Sequence, residues 1–257
     1  METETLLVRE AANFAEIYYD FAAEDHFWVR NRFDVLLRAA QKFGLDPGKP
    51  MLGFDIGCGE GAVQRQLIAR TAWRADGCEL NRAALAKHSA PASRVLYYDI
   101  TERRPDLCEH YQFLILFDVI EHVERTAPFL RAAAYHLKPA GHILINVPAG
   151  PYLYSRYDSV QGHYRRYDKA LLQQHLTEAG LIIETMHYWG WSLLPVALAR
   201  KFFVDRKQDD ADTIMRTGFN PPNRFASALL SSALAIESLF PPAPIGTSLL
   251  AIARKPG

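Results

Sequence analysis

The chain has 257 residues, and 49% of them are hydrophobic, which is enough to form the core of one large α/β domain. Its 29 basic and 29 acidic residues give a formal net charge of zero, so no overall field attracts the chain to nucleic acid or to anionic lipid. The three cysteines are odd in number and lack metal-binding spacing, so we expect reduced thiols.

The first segment, residues 1–48, is predicted to be a helical extension. Residues 1–5 are acidic and lack the basic and apolar regions of a signal peptide, so we expect a cytoplasmic protein. Apolar residues then recur at helical spacing up to residue 43. Residues 25–32 combine aromatic side chains with Arg30 and Arg32. These arginines either help to close a ligand site or form surface ion pairs on a helix that packs on the sheet.

The most informative segment is residues 54–61, with the sequence FDIGCGEG. A buried strand, 51–56, leads into three glycines at alternate positions, and 62–70 follows as a helix. Such a turn brings backbone close to a bound nucleotide. Asp55 places a negative charge at the mouth of the turn, where it repels phosphate but suits a ligand that carries an ammonium and a sulfonium.

These residues resemble the first motif of the class I S-adenosylmethionine-dependent methyltransferases, an acidic residue, any residue, then Gly-x-Gly-x-Gly. Further segments resemble the strands and motifs that follow in that family, in the same order: 74–79, 94–100, 113–119, 118–123 and 137–145. The resemblance covers about residues 50–188 and a terminal strand, and the motif at 118–123 is similar to that of small-molecule members, such as ubiquinone-biosynthesis methyltransferases.

The resemblance implies an α/β fold with a doubly wound, seven-stranded, mostly parallel sheet. The whole chain, 1–257, is then a single domain. Its expected parts are an N-terminal helical cap at 1–48, a cofactor-binding core at 49–188, an apolar helical insertion at 189–243 and a terminal strand at 244–257.

The resemblance also implies a site for S-adenosyl-L-methionine, whose product is S-adenosyl-L-homocysteine. Glu79, at the end of the second strand, would accept both ribose hydroxyls, and Asp99 would cap the adenine amino group. The expected cofactor-binding residues are Asp55, Gly57, Cys58, Gly59, Gly61, Glu79, Leu80, Asp99, Ile100, Phe117, Asp118 and Val119.

A tyrosine-rich loop, 148–168, leaves the fifth strand. Loops at the carboxyl ends of strands face the ligand crevice in a doubly wound sheet, so this loop is predicted to contact the methyl acceptor. The alternative is a lid that packs only on itself. A helix, 169–179, and a strand, 181–188, are predicted to follow. The expected substrate-binding residues are Trp28, Tyr152, Tyr157, Tyr164, Arg165 and Tyr167.

About 55 residues separate that strand from the last one, predicted at 245–253, whereas this fold needs only a short connection there. Residues 189–199 are apolar, 205–223 are predicted to be a polar loop, and 224–240 are predicted to be a strongly apolar helix. Three interpretations remain: burial over the acceptor pocket, which we favour, a homodimer interface, or shallow contact with a membrane.

Methyl transfer depends mainly on placing the nucleophile in line with the methyl group. A hydroxyl acceptor also needs a base, for which His122 and His163 are the predicted catalytic residues and His26 is a weaker choice. Alternatively, Asp118, Glu121, His122 and His163 resemble a cluster that binds a divalent cation in some quinone-biosynthetic and small-RNA methyltransferases. Our prediction includes no metal ion.

The predicted function is therefore transfer of a methyl group to oxygen, or less favourably nitrogen, of a small or lipid-linked, partly apolar acceptor. A nicotinamide-dependent oxidoreductase is the first alternative, disfavoured by Asp55 and by the lack of a second nucleotide-binding half. A non-catalytic assembly subunit that keeps the fold is the second. Scattered basic doublets disfavour nucleic-acid partners.

Overall fold

The computed structural model describes residues 4–5, 26–90, 94–206, 210–211, 213–215 and 223–257. The strands are β1 (Glu4–Thr5), β2 (Leu52–Ile56), β3 (Arg74–Glu79), β4 (Val95–Tyr97), β5 (Tyr111–Phe117), β6 (Leu137–Pro148), β7 (Ile182–Trp189) and β8 (Ser248–Arg254). They form one sheet in the order β1-β4-β3-β2-β5-β6-β8-β7.

The helices whose bounds lie in the described residues are α1 (Phe27–Lys42), α2 (Ala62–Arg70), α3 (Arg82–Lys87), α4 (Thr126–Tyr135), α5 (Arg156–Val160), α6 (Lys169–Glu178), α7 (Leu194–Arg206) and α8 (Arg224–Glu237). Short 3-10 turns join several of them to the sheet. Three of these turns, Ile100–Glu102, Ile120–His122 and Trp191–Leu193, carry residues of the candidate site.

The sheet confirms the predicted doubly wound architecture. Strands β4, β3, β2, β5 and β6 pair in parallel, and β8 runs antiparallel between β6 and β7. The two-residue strand β1 adds an eighth strand beside β4, at a position where the sequence predicted helix. Residues 6–25 of the predicted helical cap lie outside the described residues, and α1 supplies its helical part.

Both faces of the sheet are covered, as a parallel sheet requires. Side chains of a strand alternate between faces, so Phe113 and Ile115 of β5 pack with α1 and α2, whereas Leu114 and Leu116 pack with α4 and α6. All four side chains have no exposed surface. The central strands are therefore fixed, and their carboxyl ends form a rigid edge for a site.

The insertion after β7 forms α7 and α8. Helix α8 packs against α1 and the turn Trp191–Leu193. The favoured burial of its apolar face is wrong for most of that face: Phe225, Leu229, Ile236 and Phe240 are exposed, and Leu234 is buried instead. Among the described residues, no helix is both long and apolar enough to cross a membrane.

Part of the predicted polar loop 205–223 lies outside the described residues. Within the described part, Ile214 and Met215 are buried against Tyr157 and Val204. This segment therefore contributes to the core, which the sequence did not predict. The only sequence feature that could have indicated this burial was the apolar pair Ile214 and Met215 within a mostly polar segment.

Candidate active site

The glycine-rich turn joins β2 to α2. Gly57, Gly59 and Gly61 all have positive φ, at 76°, 51° and 85°. A Cβ on Gly57 would lie 2.8 Å from Cγ2 of Val119, and one on Gly61 would lie 2.6 Å from Nε2 of His88. Both positions therefore require glycine for conformation and for space.

A cavity of about 750 Å³ opens at the carboxyl ends of the central strands, next to this turn. Gly61 does not line it but supports the turn from outside. The predicted cofactor residues that line it are Asp55, Gly57, Cys58, Gly59, Glu79, Leu80, Asp99, Ile100, Phe117, Asp118 and Val119. The residues predicted from the sequence to bind the cofactor thus lie around one cavity. Their individual contacts with a ligand remain a prediction.

Asp55 lies on the floor of the cavity and is 2% exposed. Its Oδ2 has no hydrogen-bond partner among the described residues. Burial raises the pKa of Asp55 from 3.8 to about 7, and this rise is opposed by the positive charge of Arg32. A cationic group placed beside Asp55 would favour the charged carboxylate and supply the missing partner.

Glu79 holds the turn closed from the neighbouring strand. Its Oε2 accepts a hydrogen bond from the backbone N–H of Gly59 at 3.1 Å. Its Oε1 accepts from the N–H groups of Leu80 and Asn81, at 2.7 and 2.9 Å. The carboxylate is thus fixed at the cavity wall, where the resemblance places the ribose.

Asp99, at the end of β4, also caps the turn that follows it. Its Oδ1 accepts from the backbone N–H of Thr101 at 2.9 Å and from the Thr101 hydroxyl at 2.8 Å. This local role is compatible with a place in the cavity lining. Contact with adenine remains a prediction.

Arg32 of α1 forms a buried ion pair with Asp118, which follows β5 and has a φ of 55°. The guanidinium lies 4.9 Å from the ring centre of Trp28 and 4.6 Å from that of Phe117. Arg32 is 7% exposed and lines the cavity. The alternative of a surface ion pair is therefore wrong for Arg32, whereas Arg30 is exposed.

Asn146 of β6 continues this network. Its amide donates to Oδ1 of Asp118 at 3.0 Å, and its carbonyl accepts from Nε1 of Trp189 at 2.8 Å. Asn146 was not predicted from the sequence as a residue of the site. An amide inside the apolar run HILINV was the only sequence signal for it.

The two predicted catalytic histidines both line the cavity, and their ring centres lie 4.5 Å apart. His163 Nδ1 lies 3.1 Å from Oδ1 of Asp158, a carboxylate with no exposed surface. Arg166 Nε donates to the same oxygen at 2.7 Å. This arrangement fixes one nitrogen of His163 and leaves Nε2 for other contacts.

The charges of this cluster follow from its surroundings. Burial alone would raise the pKa of Asp158, but the hydrogen bond from His163 and the charge of Arg166 together lower it to about 2. Burial lowers the pKa of His122 to about 3, and the nearby His163 contributes. Asp158 is therefore charged and His122 neutral near pH 7. Asp158 was not predicted from the sequence. The capping-box pair of Ser155 and Asp158 was the sequence feature that could have identified it.

Glu121 adjoins the histidines and has no exposed surface. Neither carboxylate oxygen has a hydrogen-bond partner among the described residues. Burial, followed by the charge of Asp118, raises its pKa well above the usual value. Ligand atoms of Glu121, His122 and His163 all lie within 4.8 Å of one another. Asp118, the fourth member of the predicted metal cluster, is paired with Arg32 instead.

Six residues were predicted to bind the acceptor, and only Trp28 and Tyr157 line the cavity. Tyr167 is buried below the lid, where its hydroxyl donates to the carbonyl of Ile120 at 3.2 Å. Arg165 donates to Oγ1 of Thr126 at 2.8 Å and so braces the lid. Tyr152 and Tyr164 are 52% and 56% exposed. Tyr167 and Arg165 therefore hold the lid against residues 120–126, outside the lid, so a lid packed only on itself does not describe them.

The insertion supplies part of the cavity wall. Arg200 of α7 lies over the ring of Tyr157, 4.3 Å from its centre. Apolar side chains on elements of the insertion form the adjoining wall: Leu193, Val196, Met215 and Leu230. The sequence predicted that apolar segments of the insertion lie over the pocket, but it did not predict which of their side chains line it. His26 also lines the cavity, and its Nδ1 caps α1 by accepting from the N–H of Trp28 at 3.3 Å.

Comparison with known proteins gives a family match over most of the chain. A family model described as a methyltransferase domain matches residues 21–185. The chain is also similar to a ubiquinone biosynthesis O-methyltransferase from Rhizobium leguminosarum bv. trifolii, at 30% identity over 117 residues. This match covers 42% of the chain and 46% of the relative, and so spans about half the relative's length.

Solved structures show the same fold. An S-adenosylmethionine-dependent methyltransferase from Archaeoglobus fulgidus matches with a TM-score of 0.51 and 16% identity, over 87% of this chain and 94% of that one. Phosphoethanolamine N-methyltransferase 2 from Haemonchus contortus, crystallised with S-adenosyl-L-methionine, matches with a TM-score of 0.54 and 20% identity. This second match covers 88% of this chain and 53% of that one.

Proposed function

The chain belongs to the class I S-adenosylmethionine-dependent methyltransferases, and on that premise we propose that it methylates an oxygen of a small or medium-sized, partly apolar acceptor. Nitrogen is the second choice of nucleophile. S-adenosyl-L-methionine is the cofactor of this family, and its sulfonium supplies an electrophilic methyl group.

One observation carries the proposal: a single cavity is lined both by the glycine-rich turn with the carboxylates of Asp55 and Glu79 and by the imidazoles of His122 and His163. A cofactor bound there would have its amino-acid and ribose groups beside the carboxylates and its reactive centre near an imidazole. Methyl transfer to a hydroxyl requires this combination of groups.

His163 is the proposed base. Asp158 holds its Nδ1, so Nε2 is the nitrogen that would take the proton of the acceptor hydroxyl. Arg166 fixes the other side of the Asp158 carboxylate, so the imidazole has a defined orientation. His122 packs edge-on against His163 and helps to exclude water.

The acceptor is expected to be partly apolar because the wall formed by the insertion is apolar. Arg200 supplies a positive charge at this wall, which suits an acceptor with one polar or anionic group. A curated relative named an O-methyltransferase supports oxygen, whereas a solved neighbour named an N-methyltransferase keeps nitrogen as the alternative. A small-molecule acceptor fits this family, and no nucleic-acid partner is proposed.

The test combines binding with product detection. Calorimetric titration should show binding of S-adenosylhomocysteine and none of NADH, and Asp55→Ala should abolish that binding. Incubation with methyl-labelled cofactor and a fractionated cell extract should then yield a labelled product, identified by mass spectrometry. Binding without any labelled product from the fractions would favour a non-catalytic subunit. Binding of NADH instead would overturn the proposal.

A divalent cation is the second candidate for activation of the acceptor. Glu121, His122 and His163 would hold it, and the fit rests on the unpartnered Glu121 carboxylate. Asp158 would then orient His163 as an outer carboxylate, an arrangement common around metal-bound imidazole. A bound cation would lower the pKa of the acceptor hydroxyl. One carboxylate and two imidazoles suit transition metals such as Zn²⁺ or Mn²⁺.

The two candidates give opposite results after chelation. If His163 is the base, turnover survives dialysis against EDTA, and Glu121→Gln retains most activity. If a cation is required, turnover is lost after EDTA and returns with Mn²⁺ or Zn²⁺. Calorimetric titration of each cation into the dialysed protein, with and without the Glu121→Gln change, checks binding independently of turnover.

A further inference from the structure

Helices α7 and α8 leave a large apolar surface in solvent. The side chains of this α7–α8 surface are between 48% and 81% exposed: Leu198, Phe202, Phe203, Phe225, Leu229, Ile236, Leu239 and Phe240. Exposed apolar patches on a folded domain commonly mark a surface that another molecule or a lipid phase covers. They account for most of the large exposed apolar side chains of the described residues.

Helix α8 shows this most clearly. Phe225, Leu229 and Ile236 follow one another at helical spacing along its exposed side, and the exposed Phe240 lies just beyond its end. Its only acidic residue, Glu237, points inward and accepts hydrogen bonds from the backbone N–H groups of Gly190 and Ser192. The exposed side therefore carries no negative charge, and Arg224 stands at its start.

The charges beside the surface favour an anionic partner. Arg206 on α7 and Arg224 on α8 supply this positive charge, because Lys201 is paired with Asp205 and donates to the backbone carbonyl of Tyr154. Arg206 lies over the ring of Phe202, 3.6 Å from its centre. Because the formal net charge of the chain is zero, this attraction is local to the surface.

The same two helices border the cavity. Val196 of α7 and Leu230 of α8 line it, while the next turns of both helices are exposed. An apolar molecule leaving a lipid phase at this surface would therefore meet the acceptor wall of the cavity. A helix with an apolar side and basic flanks suits the interface of an anionic bilayer, in which it lies parallel to the surface.

We propose that the α7–α8 surface docks the enzyme on the surface of an anionic phospholipid bilayer. Docking goes beyond the proposed methyl transfer. Delivery of the acceptor from the lipid rests on that proposed function, whereas docking itself does not. No segment spans the bilayer in this proposal, and the contact is peripheral and reversible.

The test is flotation of the full-length protein with extruded vesicles. The vesicles contain phosphatidylcholine either alone or mixed with phosphatidylglycerol. Wild type should float with the mixed vesicles and bind pure phosphatidylcholine more weakly. The double variant Phe225→Ser/Leu229→Ser should lower the vesicle partition coefficient at least about tenfold, because two large apolar side chains are lost from the contact. The matched control is Ile182→Ser on β7, whose side chain is 44% exposed outside this surface.

Binding of S-adenosylhomocysteine checks that both variants are folded, since neither changes a residue that lines the cavity. Equal flotation of the double variant and wild type, or no flotation of wild type, would overturn docking. So would light scattering that shows a wild-type dimer which the double variant dissociates, because the surface would then join two copies of the chain. Failure of flotation with cofactor binding and methyl transfer intact would leave the proposed function standing.

Discussion

Arg32 and Asp118 form an ion pair that joins the N-terminal helix to the end of the central strand β5. Their side chains are only 8% and 14% exposed, so neither charge is well hydrated. Burial raises the pKa of Asp118, and Arg32 opposes this rise. Asp118 therefore depends on Arg32 to remain charged in the cavity wall.

Removal of the Arg32 charge should destabilise the fold. Arg32→Gln leaves a buried carboxylate without its cation, which typically costs about 3–5 kcal/mol. Chemical denaturation measures the change in the free energy of unfolding. The control Arg30→Gln, on an exposed neighbouring position, should stay within about 0.5 kcal/mol of wild type. A similar small change for Arg32→Gln would show that the pair contributes little.

Cofactor affinity should depend on pH through Asp55. Its pKa of about 7 means that the carboxylate is largely protonated below neutrality, when it cannot neutralise the ammonium of the cofactor. Affinity for S-adenosylhomocysteine should therefore rise as pH increases through about 7. Calorimetry across this range should give a sloping curve for wild type and a weak, flat one for Asp55→Asn. A flat wild-type curve contradicts the assignment.

The same pKa makes a prediction for stability without ligand. The folded pKa lies above the usual 3.8, so the folded state binds this proton more tightly than the unfolded state. The stabilising contribution is complete below about 4 and is lost as pH rises to about 7. Above that, Asp55→Asn should be more stable than wild type by up to about 4 kcal/mol. Denaturation at both ends of the range measures the difference, and equal stability at high pH would contradict it.

Asp158 should act on turnover and not on binding. Asp158→Asn keeps the size of the side chain but weakens its hold on His163 and Arg166, so kcat should fall by about 10²-fold while KM changes little. The control is Asp168→Asn in the same lid, because asparagine can still cap α6 as Asp168 does through the N–H of Leu171. A rise in KM with unchanged kcat would show that Asp158 only shapes the pocket.

Glu237 should hold α8 in place over the cavity. Its carboxylate accepts from the N–H groups of Gly190 and Ser192 and from the Ser192 hydroxyl, the last at 2.7 Å. Glu237→Ala leaves the partly buried N–H groups unpaired, at a cost of about 2 kcal/mol or more. Hydrogen exchange should show faster exchange across α8, and KM for the acceptor should rise. Ser238→Ala, at the exposed neighbouring position, should leave both unchanged.

The strands of the core and the position of the cavity could be predicted from sequence because they rest on local signals. Buried strands are short apolar runs, and the turn at Gly57 and Gly61 needs glycine for reasons confined to a few residues. The family motifs then placed Asp55, Glu79 and Asp99 on successive strand ends. These residues lie where rigid backbone leaves little freedom.

The lid and the insertion could not be predicted in the same way. A tyrosine on a loop can face the ligand or the protein, and only the packing of Tyr167 against Thr126 and Ile120 decides between them. The spacing of apolar residues on α8 identified an apolar face but not what covers it. Asn146 and Asp158 were missed because their importance comes from partners on other elements, which no local pattern reveals.

Glu121 lowers the stability of the native state. A carboxyl group with two unsatisfied oxygens in a dry interior weakens the native state, and methionine or leucine there would make a sturdier protein. Selection for durability alone would discard this residue. Heat-resistant variants sought by random mutagenesis should therefore include ones altered at this position, and their turnover separates the two candidates for activation of the acceptor.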